Sequence, residues 1–328
     1  MKKCILFRCD YGQIFGLGHL MRSLRLANEF KNKGFICIFI ISYNKEINNL
    51  INQNGHEIFN VTNQFISDKE KIDWIHSKKD IVIIDTKKIN NKYLNKIKKN
   101  FTVCFVDSNI TRLNCNIIIN NNLLFFKKMK SNKKNILTGL KYNTISKEYF
   151  KKNNLSKDNL VVTMGGDDSE NITFKIIENI KRLNNFNKIY VIIGMFHPDP
   201  DSIYKICNEK LTNYKIFYKL KDLKKIYDKC SFAITACGTT VYELMAYKIS
   251  FSYISLDSNQ KKLASYLNKN KIGYSLGNNK NFYNYDSKFI KFMNIDHVSQ
   301  KKLFNKILPE SGLSNLSKEI IKQGNLHI

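Results

Sequence analysis

Residues 16–22 read GLGHLMR, placing two glycines, a histidine and an arginine where a strand-like run gives way to a helical pattern. His19 falls in the first helical turn and Arg22 lies three residues on, on the same face. A helix N-terminus and Arg22 both disfavour added positive charge, so His19 is expected as a neutral imidazole able to accept a proton from water. Gly12, Gly16 and Gly18 supply a backbone that turns tightly and admits a close ligand, and Asp10 stands just before them. The structural alternative is a histidine that caps a helix beside a loop that only turns.

Three later stretches have the same strand-to-helix form. In VVTMGGDDSENIT, Gly165 and Gly166 could offer backbone amides to a phosphate at a helix start, or form an ordinary turn with Asp168 as cap. In TACGTTVYEL, Gly238, Thr239 and Thr240 offer amides and hydroxyls to a diphosphate. Glu243, one turn on, could accept the hydroxyls of a ribose; the alternative is a capping Thr with a first-turn Glu. In SLDSNQ, the amides of Asn259 and Gln260 suit sugar hydroxyls and acetamido groups, or a turn.

Other candidates carry less. The PDPD run at 198–201 reads as a polar turn rather than a metal-binding Asp-x-Asp. His56, His76, His197, His297 and His327 have no mutual ligand spacing. There is no P-loop, Rossmann glycine fingerprint or nucleophile elbow. Neither a metal site nor a cofactor is expected.

The elements that must position these residues alternate. Short apolar runs (CILFRC, FICIFIIS, IVIID, FTVCFVD, NIIINNN) are separated by amphipathic stretches, such as 19–30 with Leu20, Leu24, Ala27 and Phe30 on one face. A second series (LVVTMGG, IYVIIGM, KIFYKL, CSFAITACG, SFSYISL) follows the charged loop-like segment 127–135. This is a βαβ rhythm with mainly parallel sheets, in which ligands bind beyond the carboxyl ends of strands. Two α/β domains are expected, 1–150 with the histidine loop and 151–328 with a helical tail from about 284, broken near Pro309 and Gly312.

At 328 residues the chain can bury two cores, and 43% hydrophobic with 25% charged residues is an ordinary globular balance. The net charge of +27 would suggest nucleic acid, yet only five of the 54 basic residues are arginine, the better reader of phosphate and base edges. A specific nucleic-acid partner is therefore not expected. The eight cysteines lack paired metal or redox spacing and read as reduced core residues. No run is long enough for a signal peptide or a transmembrane segment, which points to the cytoplasm.

The four strand ends together resemble the family of UDP-sugar hydrolases of pseudaminic acid synthesis, which cleave UDP-2,4-diacetamido-2,4,6-trideoxy-β-L-altropyranose, and the related spore-coat polysaccharide proteins. Arg8 and Asp10, then Gly16, Gly18, His19 and Arg22, are similar to that family's FRxD…GxGHxxR opening. GLKYNTISKEYF (139–150), MGGDDSENIT, GTTVYEL and Asn259–Gln260 follow in the family's order. The resemblance implies a GT-B-like architecture, two Rossmann-like domains with parallel sheets facing across a cleft that holds the site. It also implies His19 as general base, Asn259 as a substrate contact, a UDP-sugar substrate, and water attack at the anomeric carbon without a metal. The second-domain motifs also look like the UDP-GlcNAc transferase that makes lipid II, so a glycosyltransferase is the first alternative. A non-catalytic sugar-nucleotide or nucleic-acid binder is the second. Where the family has Asp-His-Tyr, this chain has Asp85-Thr86-Lys87, and Ser108 follows Asp107 where a second Asp is common, which leaves the sugar open.

Overall fold

The computed structural model describes residues 4–12, 17–63, 66–67, 69–77, 80–107, 113–122, 135–150, 158–220 and 222–325. Gly16, Ser108, His327 and all but Asn135 of the charged 127–135 stretch lie outside the described residues. The chain divides into two units, Met1–Ser146 with Glu310–Ile328, and Lys147–Pro309.

The first unit runs β1 (Cys4–Cys9), α1 (Gly18–Lys31), β2 (Ile36–Ser42), α2 (Lys45–Gln53), β3 (Glu57–Val61), β4 (Ile81–Asp85), α3 (Asn91–Lys96), β5 (Phe101–Phe105), β6 (Ile117–Asn120) and β7 (Ile136–Thr138). Among the described residues its strands form one sheet ordered β3-β2-β1-β4-β5-β6-β7, with every neighbouring pair parallel. β1 and β4 are covered on both faces, which is why they read as apolar runs interrupted only by Arg8 and ended by Asp85. Leu20, Leu24, Ala27 and Phe30 of α1 are all buried, as their spacing requires.

The second unit runs β8 (Asn159–Thr163), α4 (Ile172–Asn179), β9 (Lys188–Ile193), α5 (Pro200–Lys210), β10 (Tyr214–Tyr218), α6 (Lys224–Tyr227), β11 (Phe232–Ala236), α7 (Thr240–Ala246), β12 (Ser250–Ser255), α8 (Ser258–Lys269), β13 (Tyr274–Asn278), α9 (Tyr285–Met293) and α10 (His297–Ile307). Its sheet is ordered β10-β9-β8-β11-β12-β13, again parallel throughout among the described residues. The strands that sequence patterning passes over, β3, β7 and β13, all lie at sheet edges. Half-exposed edges need no continuous apolar run, so they leave none to read.

The expected division differs in two respects. The boundary falls after Ser146, and the last helix, α11 (Gly312–Gln323), belongs to the first unit and not to a tail of the second. Leu313, Leu316 and Ile320 of α11 are buried, and the helix packs on α1 and on residues 140–142. The Asn315 amide donates to the Lys141 carbonyl at 3.2 Å, and a side chain on Gly312 would collide with Asn143. An amphipathic helix goes wherever an uncovered apolar face awaits it, and chain order does not say where that is. No helix among the described residues is long and apolar enough to cross a membrane, and all eight cysteines are free thiols.

Candidate active site

After β3 the chain returns to the opposite side of β1, so the β1/β4 pair is the topological switch point of the first sheet. Open parallel sheets bind ligands beyond the carboxyl ends of strands at such a point. Asp10 follows β1 directly, Asp85 ends β4, and the Asp10 amide donates to the Asp85 carbonyl at 3.2 Å. α1 begins at Gly18 and brings His19 to the same place.

His19 Nδ1 lies 2.5 Å from Asp85 Oδ1, with the carboxylate fully buried. Two lone pairs at that separation would repel, so the proton sits on Nδ1 and the ring's accepting lone pair belongs to Nε2. Arg22 grips the same carboxylate: its Nε donates to Asp85 Oδ2 at 2.5 Å and its Nη2 donates to Oδ1. Its outer edge is bidentate on Asp107, at 2.7 and 3.0 Å, and its guanidinium lies 4.7 Å over the Phe105 ring. Ser23 Oγ adds a bond to Asp85 Oδ2 at 3.3 Å. Arg22 thus braces this cluster, with four hydrogen bonds to two carboxylates and its Nη2 3.1 Å from His19 Nδ1. Asp85, 66 residues from His19, is the partner that weighing only Arg22 and the helix end leaves out.

Burial alone would raise the Asp85 carboxyl, but Arg22 and then His19 pull it down to about 2. Asp107, whose side chain is 42% exposed, is held below the usual carboxylate range by Arg22. One guanidinium against two carboxylates leaves one unit of negative charge beside the imidazole. That charge balances the imidazolium formed when His19 takes a proton, the arrangement a general base needs.

Asp10 has the opposite environment. It is fully buried, and burial raises its carboxyl despite a hydrogen bond from Thr86 and the nearby Arg8. Thr86, one of the two residues that depart from the family pattern, is itself buried and donates its hydroxyl to Asp10 Oδ2. Asp10 Oδ1 has no hydrogen-bond partner among the described residues. Arg8, inside β1 and fully buried, forks onto Glu70 at 3.0 and 2.9 Å, and Tyr93 Oη donates to the same carboxylate at 3.1 Å. Arg8 is therefore a brace between β1 and the 69–77 segment.

In the second sheet the switch point lies between β8 and β11. Gly165, two residues past the end of β8, has φ +89°, a left-handed conformation that favours glycine, and a Cβ there would meet nothing within 4 Å. Gly194, at the end of β9, is unforeseen: a Cβ on it would sit 2.3 Å from the Gly165 carbonyl, so the two turns pack backbone to backbone. Asp168 behaves as the structural alternative anticipates. Its oxygens accept from Ile172 N at 2.7 Å and Thr173 N at 2.9 Å, occupying the start of α4. Burial alone would raise its carboxyl, while His197 and the capping amides hold it below the usual range. His197, assigned no role from spacing, accepts from Asp199 N on Nδ1 at 3.1 Å, and its Nε2 stands 3.7 Å from Asp168.

Gly238, Thr239 and Thr240 follow β11, with open space around Gly238 and no capping bond from the Thr239 side chain. Glu243, on the next turn, is buried and accepts from Tyr227 Oη at 3.3 Å. At the end of β12, Asp257 caps α8 through the amides of Asn259 and Gln260, both at 2.8 Å. Gln260 Oε1 accepts from Leu256 N at 3.0 Å, so that residue braces the turn, and Asn259 is exposed. The first sheet's carboxyl edge thus gathers Asp10, Gly18, His19 and Arg22, and the second's gathers the candidate nucleotide residues. No group of three metal-ligating side chains occurs among the described residues.

No family model matches the chain. A curated relative is UDP-2,4-diacetamido-2,4,6-trideoxy-β-L-altropyranose hydrolase of Campylobacter jejuni, 23% identical over 275 residues, which cover 81% of this chain and 96% of the relative. Among solved structures, a glycosyltransferase from Rickettsia africae superposes with a TM-score of 0.64 at 13% identity, covering 100% of both chains. HepE of Anabaena, solved in complex with UDP-glucose, gives 0.62 at 10% identity, covering 97% of this chain and 98% of that one. The fold is GT-B-like, two parallel-sheet α/β units with glycosyltransferase neighbours along the whole chain, and in sequence the chain is similar to a UDP-sugar hydrolase.

Proposed function

We propose that this protein is a UDP-sugar hydrolase, releasing UDP from a UDP-diacetamido-trideoxyhexose in cytoplasmic synthesis of a nonulosonic acid or surface polysaccharide. The observation that carries this is the His19–Asp85 pair at the switch point, with Nδ1 2.5 Å from a buried carboxylate oxygen. Nε2 takes a proton from water as the water oxygen bonds to the anomeric carbon. The bond from that carbon to the diphosphate oxygen breaks, its electron pair leaves with UDP, and the imidazolium returns its proton to solvent. UDP is a good leaving group, so the reading assigns no metal. Gly165, Gly166, Gly238, Thr239 and Thr240 are assigned to the diphosphate, Glu243 to the ribose, and Asp10, Asn259 and Gln260 to the sugar side. The similarity to the Campylobacter jejuni hydrolase supports water as acceptor.

The glycosyltransferase neighbours favour a second reading, transfer to an alcohol, since the same base would deprotonate a hydroxyl. Purified protein incubated with a panel of UDP-diacetamido sugars in chelator, with no acceptor, separates the two. UDP release that His19→Asn lowers by about 10²- to 10⁴-fold while UDP binding persists supports hydrolysis. Release only with an added alcohol makes it a transferase, and release only with magnesium overturns the metal-free mechanism.

A further inference from the structure

The second unit contains an aromatic cluster that the sequence does not announce, because its members come from three separate elements. Tyr149 follows the start of the unit, Tyr227 ends α6, and Tyr247 follows α7. Their rings meet edge to face: Tyr227 and Tyr247 at 5.3 Å and 66°, Tyr149 and Tyr247 at 5.3 Å and 88°, Tyr149 and Tyr227 at 6.4 Å and 70°. All three are buried, and edge-on aromatic packing of this kind holds each ring in place. A salt bridge from Glu148 to Lys224 ties the same two segments together a residue or a turn away.

Tyr227 Oη leaves this cluster to donate to Glu243 Oε2 at 3.3 Å, with the ring fully buried and the glutamate 7% exposed. A glutamate has three side-chain torsions, and fixing them on binding would cost conformational entropy. A phenol on a clamped ring orients the carboxylate beforehand. A carboxylate has about four acceptor sites, and the phenol takes one of them.

We propose that Tyr227 is a positioning residue for nucleotide recognition, holding the Glu243 carboxylate in the orientation that accepts the 2′- and 3′-hydroxyls of a ribose. The inference rests on the UDP reading above and adds the reason Glu243 discriminates ribose from a sugar lacking those hydroxyls. Tyr247, in the same cluster, has a buried hydroxyl with no hydrogen-bond partner among the described residues, so it shows no such contact with Glu243.

The test measures binding of UDP and 2′,3′-dideoxy-UDP by calorimetry on the full chain. The native protein should prefer UDP by about 10- to 100-fold, the scale of a charged hydrogen bond. Tyr227→Phe keeps the ring in its cluster and should weaken UDP about 3- to 10-fold while leaving dideoxy-UDP unchanged. Tyr247→Phe should leave the preference as it was. In the background of Glu243→Gln, Tyr227→Phe should cost UDP little more, because the two act through one contact. A Tyr227→Phe protein with the native preference, or equal losses for both nucleotides, overturns the proposal. So do additive losses in the double variant, a comparison that holds even if the single variant folds poorly. A native protein that binds UDP and dideoxy-UDP equally removes both the proposal and the assignment of Glu243 to ribose. One that binds neither removes the UDP reading itself.

Discussion

Asp85→Asn isolates the contribution of the buried carboxylate, because the amide has the same shape and lacks only charge and one acceptor. Oδ1 faces His19 Nδ1 and Arg22 Nη2, while Oδ2 faces Arg22 Nε and Ser23 Oγ. An amide nitrogen at the Oδ2 position points its hydrogens at the Arg22 Nε hydrogen. At the Oδ1 position it meets Nη2 and forces Nδ1 to accept, which moves the ring proton to Nε2 and removes the base. Either choice sets donor against donor, and the choice nearer His19 also inverts the tautomer. With general base catalysis worth about 10²- to 10⁴-fold and each decade 1.36 kcal/mol, the barrier should rise by about 3 to 5 kcal/mol. Arg22 keeps its bidentate bonds to Asp107, so the variant should remain folded with a lowered melting temperature. Initial rates of UDP release, UDP affinity and melting temperature are measured on one preparation. The expected result is a collapse in kcat with UDP affinity within about twofold of native, since the candidate nucleotide residues belong to the other unit. A folded Asp85→Asn protein whose kcat stays within about threefold of native would refute the orienting role of Asp85.

Glu70→Ala should cost about 3 to 5 kcal/mol in urea unfolding, because it removes the carboxylate that forks the fully buried Arg8; a cost below about 1 kcal/mol would mean the fork is dispensable. Asp85, lowered from 3.8 to about 2 on folding, contributes stability that is present above pH 4 and lost as pH falls through 2. At 1.36 kcal/mol per pH unit that is on the order of 2 kcal/mol, and the acid limb of an unfolding titration should shrink by this amount in Asp85→Asn. The high positive charge, dispersed as lysine, should give only weak association with duplex DNA that fades with salt; tight, sequence-specific binding at physiological salt in an anisotropy assay would contradict this.

Much of the fold is legible locally. Strands covered on both faces are mostly apolar, with exceptions such as the paired Arg8 of β1, so the central strands stand out in the sequence, and the alternation with helices follows from parallel pairing. The positions of His19, Asp85 and Gly165 at strand ends were readable for the same reason, since an apolar run that stops marks the carboxyl edge of a sheet. Asp168 was legible as a cap of α4, because a carboxylate just before a helix can accept from its first amides, and the bonds from Ile172 N and Thr173 N show that it does.

Other features depend on distances that sequence separation conceals. Asp85 and Asp107 reach Arg22 across 63 and 85 residues, and only the strand order β1-β4-β5 makes them neighbours. The same holds for Arg8 with Glu70, for Tyr227 with Glu243, and for α11, which crosses back to cover α1 although it follows the second unit in the chain. The sequence by itself determined which residues have the chemistry, because residue type sets what a side chain can donate, accept or bury. The tertiary structure decided their partners, setting Arg22 against Asp85 and Asp107 and giving His19 a carboxylate, because charge and hydrogen bonding act over a few ångströms of space, whatever the number of residues between.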